Sequence, residues 1–98
     1  MEGPTQKDIL NYLKKRGIYH WRNNTGAVKR FGVWIRYGKE GSPDILGSRG
    51  VMFGIEVKDA GKKPSSEQLE EHEKIRRSGG HVLVAWSLDD VLNDPFFK

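Results

Sequence analysis

Residues 42–58 have the sequence SPDILGSRGVMFGIEVK, and this stretch decides which fold the chain adopts. It places Asp44, Glu56 and Lys58 among residues that are otherwise typical of buried β-strands. Charged side chains are rarely buried unless they are paired or bind a metal ion. Glu56 and Lys58 are two residues apart, so in a strand both side chains point to the same face. The pattern therefore predicts a functional site, which Asp44 enters from a neighbouring strand.

The residue types in this stretch indicate what chemistry such a site can do. Two carboxylates, those of Asp44 and Glu56, can hold a hard divalent cation through oxygen ligands. The ammonium group of Lys58 can orient a water molecule beside that ion. These three groups are the minimum set for metal-assisted hydrolysis of a phosphodiester bond. The alternative is an ordinary surface ion pair, but the apolar residues that flank Glu56 favour a core strand.

Length and composition favour one small domain with an anionic partner. The 98 residues, 1–98, suit a single domain. Lysine and arginine total 17 against 13 acidic residues, and the resulting net charge of +4 suits a nucleic acid. The absence of cysteine excludes disulfides and thiolate zinc sites. The polar start and the lack of any apolar run near the ~20 residues that span a bilayer predict a cytoplasmic protein with no membrane association.

The first half of the chain predicts one helix followed by three strands. Thr5 is expected to cap the first helix, and Gly17 is expected to end it. Strands are predicted at residues 18–21, at 33–37 with one solvated face, and at 51–58. A shorter extended piece is predicted at 44–47, and the polar residues 23–26 form a turn or a functional loop.

The second half predicts a helix, a strand and a last short helix. Ser65 is expected to cap the second helix, and Gly79-Gly80 ends it. The continuous apolar run at 82–86 indicates an interior strand covered on both faces. The overall prediction is an α/β fold of order α-β-β-β-α-β-α, with one mixed sheet flanked by helices. The helix between the last two strands implies a right-handed crossover if those strands are parallel.

The motifs around the charged residues resemble a known family. Gly41–Ile45 followed by Ile55–Lys58 resembles the PD-(D/E)XK nuclease signature. Arg22–Gly26 precedes this signature, Ser65–Gln68 follows it on a helix, and Gly79–His81 leads into the last strand. Together the motifs are similar to the VRR-NUC (virus-type replication-repair nuclease) family, particularly its short stand-alone members from phages. The resemblance extends from about Gln6 to Trp86 and implies a restriction-endonuclease-like core.

The resemblance implies a role for each matched residue. Asp44 and Glu56 would bind Mg²⁺ or Mn²⁺, together with the backbone carbonyl of Val57. Lys58 would orient or activate the attacking water. Gln68 would lie at the edge of the site and contact a metal-bound water or a DNA phosphate. Candidate phosphate contacts are the cationic and amide side chains that flank the motif strands: Arg22, Asn24, Lys29, Arg30, Arg36, Lys39, Lys62 and Lys63.

The resemblance also implies an activity and a substrate. The expected activity is that of a metal-dependent endodeoxyribonuclease that leaves 5′-phosphate and 3′-hydroxyl ends. Branched DNA is the expected substrate, with four-way (Holliday) junctions the leading candidate. Junction cleavage needs two coordinated cuts, and a chain of this size presents one active site. A two-fold homodimer in a bacterial or phage-infected host cell is therefore expected.

One position departs from the family pattern. The family usually places a glutamate on the first helix that completes the acidic cluster, and the matching residue here is Gln6. Glu2 and Asp8 are nearby acids, but Glu2 precedes the helix and Asp8 points roughly 200° away from Gln6. Gln6 therefore leaves open a DNA-binding module with weak or no catalysis. A single-strand or RNA nuclease with the same chemistry is a second alternative.

Two further residue types have competing interpretations. Gln68 fits a capping box with Ser65, so the helix start explains it as well as the site does. A single side chain is not expected to fill both roles. His20, His72 and His81 lack the spacing of metal ligands, and we interpret them as structural or surface residues.

Overall fold

A four-stranded mixed sheet forms the centre of the computed structural model, which describes residues 3–98. In chain order the elements are α1 (Pro4–Lys15), β1 (Tyr19–Arg22), β2 (Gly26–Arg30), β3 (Val33–Tyr37), β4 (Ile45–Arg49), β5 (Val51–Val57), α2 (Ser66–Arg77), β6 (His81–Ala85), α3 (Leu88–Leu92) and a 3₁₀ turn (Pro95–Phe97). Among these residues no helix is long and apolar enough to span a bilayer.

The sheet has the strand order β1-β4-β5-β6. β1 pairs with β4 and β4 with β5 in antiparallel fashion, and β5 pairs with β6 in parallel. The parallel pair needs a long connection, and α2 provides it. The mixed α/β architecture with flanking helices is therefore confirmed.

Opposite faces of the sheet are covered by different helices. Ile9 and Leu13 of α1 are fully buried and join a core that includes Ile45, Phe53 and Ile55. Val91 of α3 and Phe97 of the terminal turn belong to the same core. α2 packs against β5 and β6 on the other face, which carries Glu56. Strand alternation thus separates an apolar layer from the layer that holds the charged residues.

Three predictions about the elements were wrong in detail. α1 begins at Pro4 with Gly3 at its N-cap, rather than at Thr5, because proline suits the first helical turn. β2 was not predicted, and the extended piece at 44–47 is the full strand β4. β6 is covered by helices but lies at the edge of the sheet rather than in its interior. Glu2, named above as a possible acid, lies outside the described residues.

The strands β2 and β3 form a separate two-stranded ribbon. Every residue in both strands is exposed. The prediction of only one solvated face for residues 33–37 was therefore wrong, because both faces of this strand are solvated. Directly opposed residues in an antiparallel pair share a face. Val28 opposes Ile35 on one face, whereas Lys29 opposes Trp34 on the other. The ribbon therefore has an apolar face and a face that combines cationic and aromatic side chains.

Candidate active site

The register of the sheet brings Asp44 and Glu56 together. Ile45 pairs with Ile55, so Asp44, the residue just before β4, lies opposite Glu56. The Val57 backbone N–H donates a hydrogen bond of 2.7 Å to Asp44 Oδ2. Gly54 lies under the ring of Pro43, and a Cβ at this glycine would come within 2.6 Å of Pro43 Cγ. The close approach of the two strands thus fixes where Asp44 enters the site.

Glu56 is buried and hydrogen-bonded to α2. Its side chain is 1% exposed, and its Oε2 accepts a hydrogen bond of 3.3 Å from Gln68 Nε2. Its Oε1 lies 3.1 Å from Nε2 of His72, which is fully buried. A carboxyl group with both oxygens in contacts has a fixed orientation, as a metal ligand needs.

The protonation of Glu56 reflects this burial. The pKa of Glu56 is raised to about 9, mainly because burial removes its carboxyl group from water. A side-chain hydrogen bond to Asp44 and the negative charge of Asp44 raise it further. The nearby charge of Lys58 acts in the opposite direction. Two carboxyl groups this close favour a shared proton when no cation lies between them.

The donor set fits a hard divalent cation. Asp44 and Glu56 supply oxygen atoms, and a cation would offset the burial and the repulsion from Asp44 that together keep Glu56 protonated. Residues 3–98 contain no group of three or more His, Cys, Asp or Glu side chains arranged to hold a metal ion. Any ion at this site would therefore rely on two carboxylates, with Mg²⁺ or Mn²⁺ as the ions that oxygen ligands suit.

Gln68 forms the predicted capping box and also contacts Glu56. Its backbone N–H donates to Ser65 Oγ, and its Oε1 accepts from the Ser65 backbone N–H at 2.8 Å, which completes a capping box. Its Nε2 remains available and donates to Glu56. The cap therefore does not prevent a contact with Glu56, because an amide has an acceptor and a donor on different atoms; the predicted contact of Gln68 with a metal-bound water or a phosphate stays a prediction.

A polar cleft of about 390 Å³ opens beside Asp44. Val57 and Lys58 line it from the end of β5, and Gln6 lines it from α1. Gln6 thus faces the same cleft as Asp44, whereas Asp8 is exposed and lies outside the cleft lining. Lys62 and Lys63 also line the cleft and add positive charge, and Asp59 adds an acid.

His72 is a residue whose position the sequence did not reveal. Burial lowers the pKa of His72, and the charges of Arg76 and Lys58 add to this effect. Its Nδ1 is buried and has no hydrogen-bond partner among the described residues. The signal that could have found it is its spacing of four residues from Gln68, which puts both side chains on one helix face.

The other two histidines have structural contacts, as expected. His81 stacks on Phe96 with ring centroids 4.3 Å apart, and its Nε2 lies 2.6 Å from Asp94 Oδ2. His20 Nδ1 lies 2.7 Å from the Ile18 carbonyl oxygen.

Asn23 is a second residue whose position was not predicted. Its side-chain Nδ2 donates to Ser42 Oγ at 2.7 Å and to the Pro43 carbonyl at 2.9 Å. Its backbone N–H donates to the Asp44 carbonyl at 2.8 Å. Asn23 thus holds the segment that carries Asp44, whereas its neighbour Asn24 is exposed.

The candidate phosphate contacts lie in different surroundings. Lys39 forms an ion pair of 3.3 Å with Glu71, and Arg36 forms one of 3.4 Å with the exposed Glu40. These two cations therefore have acidic neighbours within the chain. Lys29 and Arg30 belong to the ribbon, and Arg22 lies at the end of β1. Lys62 and Lys63 line the cleft.

We expect the metal-free protein to lose stability as the pH rises from 7 to 9. Folded Glu56 stays protonated up to about pH 9, whereas the unfolded side chain ionises near 4.5. Folding therefore binds a proton in this window, and the free energy of unfolding falls as the pH rises. Because the pKa of His72 is lowered, its titration makes the free energy of unfolding increase with pH, but only below about pH 6.5. Urea unfolding in EDTA at several pH values measures the slope.

The matched variant for this experiment is Glu56→Gln. Its neutral amide cannot titrate, so the slope between pH 7 and 9 should disappear. A slope of unchanged size in the variant would assign the effect to another group. Because a bound cation must displace the proton, metal affinity of the natural chain should rise over the same window.

The overall fold of the chain is similar to that of a solved structure. A structure described as "VRR_NUC domain" is 28% identical to the chain, with a TM-score of 0.55. The match covers 95% of this chain and 99% of that one. No protein-family model matches the chain, and no curated protein does.

The sheet topology and the placement of Asp44, Glu56 and Lys58 define a class of protein. A mixed sheet with an aspartate before one strand and Glu-x-Lys at the end of the next is the PD-(D/E)XK nuclease fold. The likeness to the VRR_NUC domain over 95% of the chain supports membership of the VRR-NUC family of nuclease domains.

Proposed function

We propose that the protein is a metal-dependent endodeoxyribonuclease that hydrolyses phosphodiester bonds in branched DNA. The observation that carries this proposal is the contact between Asp44 and the buried Glu56, next to a cleft that Lys58 lines. Such a pair of carboxyl groups is unfavourable in a site with no cation and becomes favourable when a divalent ion binds.

Each side chain has a distinct part in the proposed reaction. Mg²⁺ or Mn²⁺, held by Asp44, Glu56 and the Val57 carbonyl, would supply Lewis acidity at the scissile phosphate and lower the pKa of a bound water. Lys58 orients the attacking water and offsets the charge that develops on the phosphate. Gln68 keeps the Glu56 carboxylate in position through its amide.

Positive charge near the cleft supports DNA as the substrate. Lys58, Lys62 and Lys63 line it, and a phosphate backbone is attracted to such cations. Phosphate contacts of this kind orient a nucleic acid without reading its sequence. The bacterial or phage-infected host cytoplasm is the compartment we propose, because it holds the DNA substrate.

A four-way junction is the branched substrate we favour, and a homodimer is the form that would cut it. Two coordinated cuts need two active sites, and a two-fold dimer supplies them. The apolar face of the ribbon supports self-association, since its apolar members are 39–61% exposed and belong to alternate residue pairs, the last of which also holds Arg30: Val28, Val33, Ile35, Tyr37. Exposed apolar patches of this kind are often interaction surfaces.

A substrate panel tests the proposal. Purified protein is incubated with labelled linear duplex, flap, four-way junction, single-stranded DNA and RNA, each with Mg²⁺, Mn²⁺ or EDTA. We expect metal-dependent cleavage with the junction cut fastest. Preferred cleavage of single strands or RNA would support the alternative nuclease, and sedimentation that gave only monomer with full junction cleavage would contradict the homodimer.

One observation favours a second candidate function. Gln6 lines the cleft where the family pattern places an acid, and a neutral amide is a poorer ligand for a hard cation. A DNA-binding module with weak or no catalysis would keep the cationic cleft and lose turnover. It predicts salt-dependent DNA binding with no cleavage in Mg²⁺ or Mn²⁺.

Gln6→Glu is expected to raise Mn²⁺ affinity or the cleavage rate by about tenfold. The introduced carboxylate would face the same cleft as Asp44 and add a third acid near the ion. Groups close to a metal ion, even those that contact only its ligands, change metal affinity by about 10–100-fold. Calorimetric titration with Mn²⁺ measures the affinity. Asn11→Glu, an exposed position on the same helix, controls for the added charge. No change from Gln6→Glu would mean that this position does not face the ion.

A further inference from the structure

The tip of the ribbon presents an aromatic ring entirely to water. Arg30 pairs with Val33, so Phe31 and Gly32 form a two-residue turn. Both have positive φ, 51° for Phe31 and 76° for Gly32, as a type I′ turn requires. Phe31 is 101% exposed. The usual residue at its position in such a turn is asparagine or aspartate, not an aromatic one.

Two features of Phe31 are unfavourable for the isolated chain. A bulky residue in the left-handed region is a conformational outlier, and a fully exposed ring gains nothing from burial. Strained backbone and exposed apolar surface at one position are common where a protein contacts a partner. The turn therefore favours a role for Phe31 outside the fold.

The charge of the ribbon indicates which partner the ring meets. Residues 26–37 contain three cations, Lys29, Arg30 and Arg36, and no acid. Of these, Arg36 pairs with Glu40, which follows the ribbon, and Lys29 lies opposite Trp34 on the cationic face. An aromatic tip among cations is complementary to a nucleic acid, because cations contact phosphates while rings stack on bases.

The ribbon begins beside the site. β1 ends at Arg22, which pairs with Ile45, and Asn23 bonds to the carbonyl of Asp44. The five residue pairs of the ribbon extend about 17 Å at ~3.4 Å per residue. With ~3.4 Å per nucleotide, the ribbon is about as long as five stacked nucleotides.

We propose that Phe31 is a base-stacking residue that inserts at an unstacked base of branched DNA. Bases within a continuous duplex are already stacked, so the ring finds a free base only at a branch point, a gap or a single strand. The inference rests on the proposed function and names the feature of the substrate that the ribbon recognises. It assigns the preference for branched DNA to one side chain that lies away from the carboxylates.

Phe31→Asn tests this role without disturbing the fold. Asparagine tolerates the left-handed conformation, so the turn is retained while the ring is lost. In EDTA, the variant should bind a four-way junction about tenfold more weakly and bind a linear duplex of the same sequence unchanged, as loss of one base stack implies. Phe31→Trp should keep junction binding within about twofold. Val51→Asn, an exposed apolar position at the far end of β5, is the matched control and should leave both affinities unchanged.

A fluorescent base at the branch point adds a direct signal. 2-Aminopurine at that position should lose emission when the natural chain or Phe31→Trp binds, and keep it when Phe31→Asn binds. Equal loss of affinity for junction and duplex would overturn the proposal. So would a natural chain with no preference for the junction, or sedimentation that showed Phe31→Asn to be a monomer where the natural chain is a dimer, since the ring would then contact a second copy.

The same preparations separate this inference from the proposed function. If the natural chain cuts no DNA in Mg²⁺ or Mn²⁺ but binds the junction through Phe31, the proposed nuclease fails and the stacking role holds. If it cuts DNA and Phe31→Asn has an unchanged junction preference, the nuclease holds and the stacking role fails.

Discussion

Glu56→Gln is expected to lower metal-dependent cleavage by about 100-fold or more while the protein stays folded. The loss follows because the ion supplies several kcal/mol of stabilisation to the reaction, and each ~1.4 kcal/mol is a factor of ten in rate. The fold should survive because burial and Asp44 already hold metal-free Glu56 protonated, and an amide has nearly the same shape as a protonated carboxyl. Single-turnover cleavage of the junction and Mn²⁺ calorimetry measure the two effects.

The control for this variant is Glu70→Gln. Glu70 is an exposed residue of α2, so its loss changes the net charge by the same amount without touching the site. Cleavage and Mn²⁺ binding should stay within about twofold of the natural chain, as for an ordinary surface substitution. Retention of cleavage within tenfold by Glu56→Gln would mean that this carboxylate does not bind the catalytic ion.

Lys58→Met is expected to lower the single-turnover rate at least tenfold at saturating metal. Methionine preserves much of the side-chain length and removes the ammonium group, which in our proposal orients water and offsets phosphate charge. Mn²⁺ affinity should not fall, because loss of a positive charge next to Glu56 favours a cation. The expected signature is therefore a rate defect with intact metal binding, the reverse of Glu56→Gln.

Lys63→Met distinguishes chemistry from DNA attraction. Lys63 is exposed and lines the same cleft farther along the chain, so its loss should weaken DNA binding and leave the rate at saturating protein close to natural. If Lys58→Met and Lys63→Met had the same effect on binding and none on rate, Lys58 would be one more phosphate contact.

The sequence predicted the parts of the site that lie within one strand or one register pair. Glu56 and Lys58 share a face by strand geometry alone, and apolar neighbours indicated that the strand is buried. Asp44 needed a hairpin between β4 and β5, which Ser48-Arg49-Gly50 indicated as a turn. The neighbours of Glu56 on α2 could not be derived, because which turn of a helix faces a strand depends on the length of the connection at residues 59–64.

The elements that were missed have physical reasons. β2 has the sequence GAVKR, with a glycine, an alanine and two cations, so its strand propensity is low and its pairing with β3 determines it. The apolar run of β6 indicated cover by helices, which the structure has. The error was to infer an interior position, because cover above and below a strand does not require a neighbour on each side.

The double role of Gln68 restricts which residue can replace it. Glutamate is the common alternative in a capping box, and it could accept the Ser65 N–H equally well. It would, however, turn a second acceptor toward Glu56, where the amide now donates. Lysine or arginine could donate to Glu56 but could not accept from Ser65. The residue at this position must therefore accept a hydrogen bond at the helix start and donate one to the carboxylate of Glu56, and an amide side chain does both.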